Sequence, residues 1–319
     1  MKRITIRIWD EDEYSYPSAW GFRPRLDGYL HEDDSSRPCI VICPGGGYRR
    51  CAPREGEPVA LHFYKLGYQA FVCTYTTNPL DMHPLGKQPA RDLSAAIGLI
   101  RDNADVLCVD PKRIVACGFS AGAHVVGTLG VHHDEFSAAP DAMILCYPVI
   151  LAQNEIHHRP SLRRLLGTDP SKEDLEYMSL ETQVKEACPP VFIWHTVTDK
   201  TVAVENSIAF ADACHRAGII HALHLFSSGD HGLALADGGR HPKEILYTLE
   251  QTQCTVDAID RGEVAQDPEV LQKYFTLPEV KLLETDGLMI SGGKKNEEVS
   301  DWTMLAHGWL SRLWDSSEI

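Results

Sequence analysis

The sequence predicts an α/β protein with a mostly parallel central sheet flanked by helices, and three observations carry that prediction. From residue 37 onward, short apolar runs alternate with segments of helical period, the pattern of strands joined by helical crossovers. One run, Ile114 to Val125, passes from strand character through G-F-S-A-G into a small-residue helical stretch. That is the strand–turn–helix setting of a nucleophilic serine. Two later runs end in loops bearing Asp199 and then His231, where an open α/β sheet presents its site.

The elements follow in order. Ile4, Ile6 and Ile8 recur at period two, so the segment before residue 37 is expected as antiparallel strands at the sheet edge. Pro38–Pro44 (P-C-I-V-I-C-P) reads as a short buried strand ending in a glycine loop, and Pro58–Leu66 as a helix closed by Gly67. Gln69–Thr76 is the next strand. Pro89–Asp105 has helical periodicity, with Leu93, Ala96, Ile97 and Ile100 on one face. Arg113–Phe119 leads into the G-F-S-A-G turn and Ala121–Val131 leaves it as a helix. Strands are then expected at Ala142–Ile150, Pro190–His195 and His221–Phe226, with a helix at Val204–Ala217. Trp302–Trp314 closes the pattern as an amphipathic helix displaying Leu305, Trp309, Leu310 and Leu313.

Two stretches interrupt the alternation within what reads as one domain over residues 1–319. Residues 151–188 hold a polar helical segment, either a small cap over the site or surface decoration. Residues 237–300 form a longer insertion before the last helix, with helices expected at Tyr247–Ile259 and Pro268–Tyr274.

Composition narrows the function classes. Hydrophobic residues are 44% and charged residues 24% of 319, as in ordinary globular proteins. A net charge of −15 argues against nucleic acid or anionic membranes as partners. No apolar run reaches the length of a membrane span, and the alternating start, M-K-R-I-T-I-R-I-W, is unlike an export signal. A cytoplasmic location with reduced thiols is therefore expected. Of the ten cysteines, Cys43, Cys73, Cys117 and Cys146 fall inside strand-like runs, where a thiol behaves as a small hydrophobe.

The chemistry begins at Ser120. A serine hydroxyl needs a base to take its proton and N–H donors to hold the oxyanion. Gly118 and Gly122 flank Ser120 where side chains would crowd the turn, and Ala121 offers its N–H at the start of the following helix. In the chain order Ser…Asp…His, Asp199 is the orienting acid and His231 the base, with Glu205 as the rival acid and Asp230 and Asp237 less suitably placed. His195, His221 and His224 sit on strands and read as structural. The doublets His132–His133 and His157–His158 lack supporting metal-ligand spacing, so neither metal nor cofactor is expected. The loop Cys43-Pro-Gly-Gly-Gly-Tyr48 supplies further oxyanion donors at Gly46 and Gly47. It lacks the pattern and lysine of a phosphate-binding loop. Tyr48, Arg49, Arg54 and Glu55 follow, as candidates to line the alcohol side of the pocket, with Arg54 and Glu55 alternatively a surface pair.

Taken together, P-G-G-G-Y…R-E-G-E-P-V-A, C-G-F-S-A-G-A-H, W-H-T-V-T-D-K-T-V-A-V-E-N-S and G-D-H-G-L resemble the α/β-hydrolase superfamily. Within it, the likeness is to the small carbohydrate-esterase branch that includes acetylxylan-esterase-like proteins. It covers about residues 37–235 and resumes at Trp302–Leu310. The resemblance implies an α/β-hydrolase fold, Ser120 as nucleophile, Asp199 as acid, His231 as base, and oxyanion donors from the Gly45–Gly47 loop and Ala121. The 237–300 stretch is longer than the resemblance leads one to expect, and the start does not read as the secretion signal expected of a polymer-degrading esterase.

The function expected is a serine esterase for short acyl esters, acetyl groups on sugars or oligosaccharides in particular, working through an acyl-enzyme. An amidase, formamidase or peptidase with the same triad is the alternative, and a non-catalytic ligand-binding protein of the same fold is the third reading. The partner is a small-molecule ester such as an acetylated sugar, and a homo-oligomer is compatible with the chain.

Overall fold

The computed structural model describes residues 1–153, 155–284, 289–291 and 294–315, with backbone alone at 289–291. Eight strands form one sheet: β1 (Lys2–Arg7), β2 (Arg25–Leu30), β3 (Arg37–Cys43), β4 (Gln69–Thr74), β5 (Val109–Phe119), β6 (Ala142–Cys146), β7 (Val191–Thr196) and β8 (His221–Phe226). Their spatial order is β1-β2-β4-β3-β5-β6-β7-β8. The sheet is parallel from β4 to β8, while β2 runs antiparallel to both β1 and β4. The expected antiparallel edge is thus the β1–β2 pair, in which Ile4 and Ile6 alternate along β1 and Ile8 follows its end. The fold is that of the α/β-hydrolases.

Alternation along each strand decides which face a side chain reaches. On β3, Cys39, Val41 and Cys43 enter the core on one face and Ile40 and Ile42 the core on the other. The first face is covered by α2 (Gln88–Asp102), the short α3 (Ala104–Leu107), α4 (Ala121–Val131) and α7 (Glu205–Arg216), through residues such as Leu93, Leu107, Leu129 and Phe210. The second is covered by α1 (Glu57–Lys65) through Val59 and Phe63, and by α11 (Trp302–Asp315) through Trp302, Ala306 and Leu310. With helices on both faces, the central strands carry no polar face, which is why they read as continuous apolar runs.

Three expectations shift. The strand expected to reach Ile150 stops at Cys146, because Tyr147 takes φ 38° and Pro148 has no N–H to give a ladder. The helix expected through Asp105 ends at Asp102. There the Asn103 side chain donates to the Leu99 carbonyl at 2.8 Å, and α3 starts on a new axis. On α11 the buried stripe is Trp302, Thr303, Ala306 and Leu310, whereas Leu305 is 40% exposed. The large Trp302 sets the rotation of that helix, stacking on Trp194 with ring centroids 5.5 Å apart.

The two interruptions also take shape. Residues 151–188 carry α5 (Arg159–Leu166) and α6 (Lys172–Tyr177), with Asn154 outside the described residues. Residues 237–300 carry a 3-10 turn running into α8 (Glu250–Asp260), then α9 (Pro268–Phe275) and α10 (Pro278–Glu284). A short pairing of β9 (Arg240–Pro242) with β10 (Met289–Ser291) also lies there, and residues 285–288 and 292–293 fall outside the description. These helices share a small core of Leu80, Ala258, Val264, Tyr274 and Val280. All ten cysteines are free thiols. Among the described residues no helix is long and apolar enough to cross a membrane.

Candidate active site

The carboxyl ends of the parallel strands converge at one edge of the sheet. β3 runs into the glycine loop, β5 into Ser120, β6 into Tyr147, β7 into the Asp199 loop and β8 into the His231 loop.

Ser120 holds φ 53° and ψ −117°, a backbone state that costs energy for any residue with a side chain. Its neighbours hold it there. Ser120 N–H donates to Cys146 O at 2.9 Å, and its carbonyl accepts from Ala123 and His124 at 3.1 and 3.2 Å. The flanking glycines are required by close approach. A Cβ on Gly118 would stand 2.3 Å from Gly122 O, and one on Gly122 would stand 2.2 Å from Cys43 O.

Ser120 Oγ lies 2.8 Å from His231 Nε2, and His231 Nδ1 lies 2.6 Å from Asp199 Oδ2. Gly232, at φ 74°, turns the chain so that the ring reaches back over the sheet. Asp199 is buried, and its Oδ1 accepts from the N–H groups of Thr201 and Val202 at 2.8 and 3.0 Å. Burial alone would raise its pKa. The hydrogen bonds from His195, His231 and Val202 outweigh that and hold the carboxyl well below the ordinary range. The rival acids lie elsewhere: Glu205, Asp230 and Asp237 are exposed, and Asp230 pairs with Lys294.

His195 is buried as expected for a strand residue, but it also serves Asp199. Its Nε2 lies 3.1 Å from Val202 O, which can only accept, so Nε2 carries the proton and shares it with Asp199 Oδ2 at 3.3 Å. Nδ1 then accepts from Ser207 Oγ at 2.8 Å.

The glycine loop passes directly over Ser120: a Cβ on Gly45 would meet Ser120 Cβ at 2.9 Å and Phe119 O at 2.5 Å. Gly46 and Gly47 take φ 129° and 63°, and both line the cavity that contains Ser120 and His231. Among the described residues, no loop hydrogen bond is donated by the N–H of Gly46, Gly47 or Ala121. Ala121 is the first residue of α4, where backbone N–H groups have no partner within the helix. Their oxygens, by contrast, are used: Gly46 O accepts from Arg49 N at 3.1 Å and Gly47 O from Arg164 Nη1 at 3.2 Å.

Tyr48 departs from its expected place. Its φ of 60° turns the side chain inward, where it is 1% exposed, does not line the cavity, and meets His124 Nδ1 at 2.7 Å. Arg49 does line the cavity, with its guanidinium paired to buried Glu279 of α10 at 2.5 Å. Glu55 is neither a surface residue nor half of a surface pair. It is 2% exposed and accepts from Gly45 N–H at 2.8 Å and from the Tyr147 hydroxyl at 2.9 Å. Tyr147 OH in turn accepts from Ala234 N–H at 3.1 Å, and Trp302 Nε1 donates to Ala234 O at 2.9 Å.

His158, the second member of a doublet whose spacing gives no support to a metal, lines the same cavity from just before α5. Burial, and then the neighbouring His231, push its pKa down to about 4, so it faces the site as a neutral imidazole. Only the folding of 151–188 over the sheet edge brings it there. Among the described residues, no three His, Cys, Asp or Glu side chains gather as a metal site.

The cavity above Ser120 has a volume of about 260 Å3 and a polar lining that includes Arg50, Arg54, Glu55 and Thr201.

Residues 26–214 match the BD-FAE family, a span that includes Ser120 and Asp199 and stops before His231. The chain is similar to endo-1,4-beta-xylanase B of Butyrivibrio fibrisolvens, 44% identical over 270 residues, 79% of this chain and 41% of that protein. It is also similar to the acetylxylan esterase of Xylanibacter ruminicola, 28% identical over 255 residues, 78% of this chain and 49% of that protein. The chain thus spans less than half the length of these two relatives. Among solved structures it resembles an acetyl ester-xyloside bifunctional hydrolase from Caldicellulosiruptor lactoaceticus. That match has 34% identity and a TM-score of 0.68, covering 82% of this chain and 97% of the other.

Proposed function

The chain belongs to the BD-FAE family of α/β-hydrolases, and on that premise we propose that it is a serine ester hydrolase for short-chain acyl esters, with acetylated sugars or oligosaccharides as its substrates. The observation that carries this reading is the continuous relay from Ser120 Oγ through His231 to Asp199, with contacts of 2.8 and 2.6 Å.

His231 Nδ1–H donates to ionised Asp199, which leaves Nε2 as the base facing Ser120. As Oγ attacks the acyl carbon, its proton moves to Nε2, and Asp199 stabilises the imidazolium. The carbonyl oxygen becomes an oxyanion held by the N–H groups of Gly46, Gly47 and Ala121, each donor worth about 3 kcal/mol in the transition state. The imidazolium then protonates the departing alkoxide. Water, deprotonated by the same imidazole, frees the acid from the acyl-enzyme.

The short acyl preference rests on the lining. A cavity of about 260 Å3 walled by Arg49, Arg50, Arg54 and Arg164 would have to desolvate those cations to bury a long alkyl chain. Sugar hydroxyls, by contrast, give such groups partners. The names of the xylanase and acetylxylan esterase relatives favour the same substrate class.

Hydrolysis of 4-nitrophenyl esters from acetate to octanoate tests the reading, with Ser120→Ala as control. Rates falling steeply beyond acetate and lost in the variant are expected. Octanoate turned over as fast as acetate would sink the short-acyl reading, and full activity in Ser120→Ala would sink the nucleophile assignment.

A further inference from the structure

Four arginines line the cavity over Ser120, and three of them form ion pairs with two protein carboxylates. Arg49 and Arg50 share Glu279, at 2.5 and 3.4 Å, and Arg164 meets Asp81 at 2.7 Å. Arg54 is different. Among the described residues it takes part in no ion pair, while its Nε, like those of Arg49 and Arg164, is shut off from solvent without a hydrogen-bond acceptor. Its guanidinium lies beside the histidine loop: a Cβ on Gly232 would stand 2.4 Å from Arg54 Nη2. Glu55 Oε1 is 3.6 Å from that same point, but its two oxygens accept from Gly45 N–H and Tyr147 O–H, and it forms no ion pair with Arg54.

We infer that Arg54 is an anion subsite of the active site, and that the preferred ester carries a carboxylate. This deepens the proposed function and rests on it. A guanidinium presents a planar fork of N–H donors that matches the two oxygens of a carboxylate, and the pairing strengthens where water is excluded. In a chain of net charge −15, a cavity walled by arginines also offers an anion a locally favourable place. The carboxylate belongs either to the acyl group, as in a dicarboxylic half-ester, or to the alcohol, as in an acetylated sugar acid.

Two substrate pairs separate these sources. The acyl pair is 4-nitrophenyl hydrogen succinate against its methyl ester. The alcohol pair is an acetylated methyl glucuronoside against the acetylated methyl xyloside. The charged member of one pair is expected to be preferred. Arg54→Gln should reduce that preference about 10- to 100-fold, the worth of one charge-assisted hydrogen-bonding group, and Arg54→Lys should keep part of it. Raising the salt concentration should erode the preference in the parent protein.

Binding gives a readout independent of turnover. Succinate and glucuronate titrated into the Ser120→Ala protein should bind, with affinity reduced tenfold or more when Arg54→Gln is added. If Arg54 merely balances the charge of Glu55, Arg54→Gln slows charged and neutral esters in equal proportion, and the anion subsite is wrong. Equal kcat/KM within both pairs overturns it too, while leaving the esterase reading intact. No carboxylate binding overturns it even if every ester proves inert, the outcome that sinks the esterase reading itself.

Discussion

The 2.9 Å hydrogen bond from the Tyr147 hydroxyl to Glu55 joins the loop over Ser120 to the loop that carries His231. Glu55 grips Gly45 N–H with its other oxygen, and Tyr147 receives Ala234 N–H and packs its ring edge-on to His231 at 4.9 Å. The proposed oxyanion loop and the proposed base are thereby held at one spacing by Glu55 and Tyr147. Glutamine at 55 keeps one acceptor and leaves one of the two donors unanswered. Glu55→Gln should lower kcat about 10- to 100-fold, short of the loss from deleting an oxyanion donor outright, with KM changing less. It should also cost about 1–3 kcal/mol in stability. Steady-state kinetics beside urea unfolding would check both. Unchanged kcat with lowered stability would reduce Glu55 to a structural role.

Ser120→Ala should remove about 10⁶ of kcat if the relay acts as a unit. It should also relax none of the strain at φ 53°, since alanine keeps the Cβ. Circular dichroism and melting should therefore match the parent while ester turnover disappears.

Asp199 and Glu205 make a matched comparison. Asp199→Asn should cost about 10⁴ in kcat, because an amide at this position favours the wrong imidazole tautomer. Glu205→Gln, on the exposed start of α7, should fall within twofold of the parent, a change of about 0.4 kcal/mol or less. A large loss in the second variant would reopen the choice of acid.

His124 sets an acid limit on stability. Burial pushes its pKa down to about 4, against the pull of its bond to Met178 O at 3.0 Å. A base depressed in the folded state contributes stability fully above its ordinary value of about 6.5, and that contribution is lost as pH falls toward about 4. Asp92, raised to about 6 by burial, works in the opposite direction over the same window. Asp199, held low, keeps its contribution until the pH falls below the ordinary carboxylate range. Thermal midpoints of His124→Gln and the parent from pH 7 to pH 4 should converge on acidification. Parallel curves would show that His124 does not titrate in that window.

Gly45→Ala tests the close approach over the nucleophile. The added methyl meets Phe119 O at 2.5 Å and Ser120 Cβ at 2.9 Å, so the loop must lift away from the site. Overpacking of this kind costs about 1–3 kcal/mol. Turnover should fall by at least tenfold at the same time, about 1.4 kcal/mol in the transition state. A stable and fully active variant would mean that the loop does not supply the oxyanion contact.

The sheet, its antiparallel edge and the positions of Ser120, Asp199 and His231 were legible in the sequence for a physical reason. Strand period, turn chemistry and the position after a strand are local properties, and a parallel sheet turns them into a shared edge. Tyr48, Glu55, His158 and His195 were not legible in the same way. Tyr48 followed the glycines and read as pocket lining, until a positive φ turned it into the core beside His124. Glu55 read as pocket lining, or alternatively as half of an exposed pair with Arg54, and nothing local says that Gly45 and Tyr147 will close over it.

The sequence by itself determined the fold class, the elbow that strains Ser120 and the order in which the proposed acid and base follow it, because short-range sterics and hydrophobic period suffice for each. Only the tertiary structure decided how those groups are held and what surrounds them. It placed Glu279, from an insertion far along the chain, against Arg49 and Arg50, and brought His158 into the cavity lining. Among the described residues, it also left Arg54 with no ion pair beside the His231 loop. Burial and charge balance depend on which distant segments arrive at one place, and no local pattern encodes that meeting.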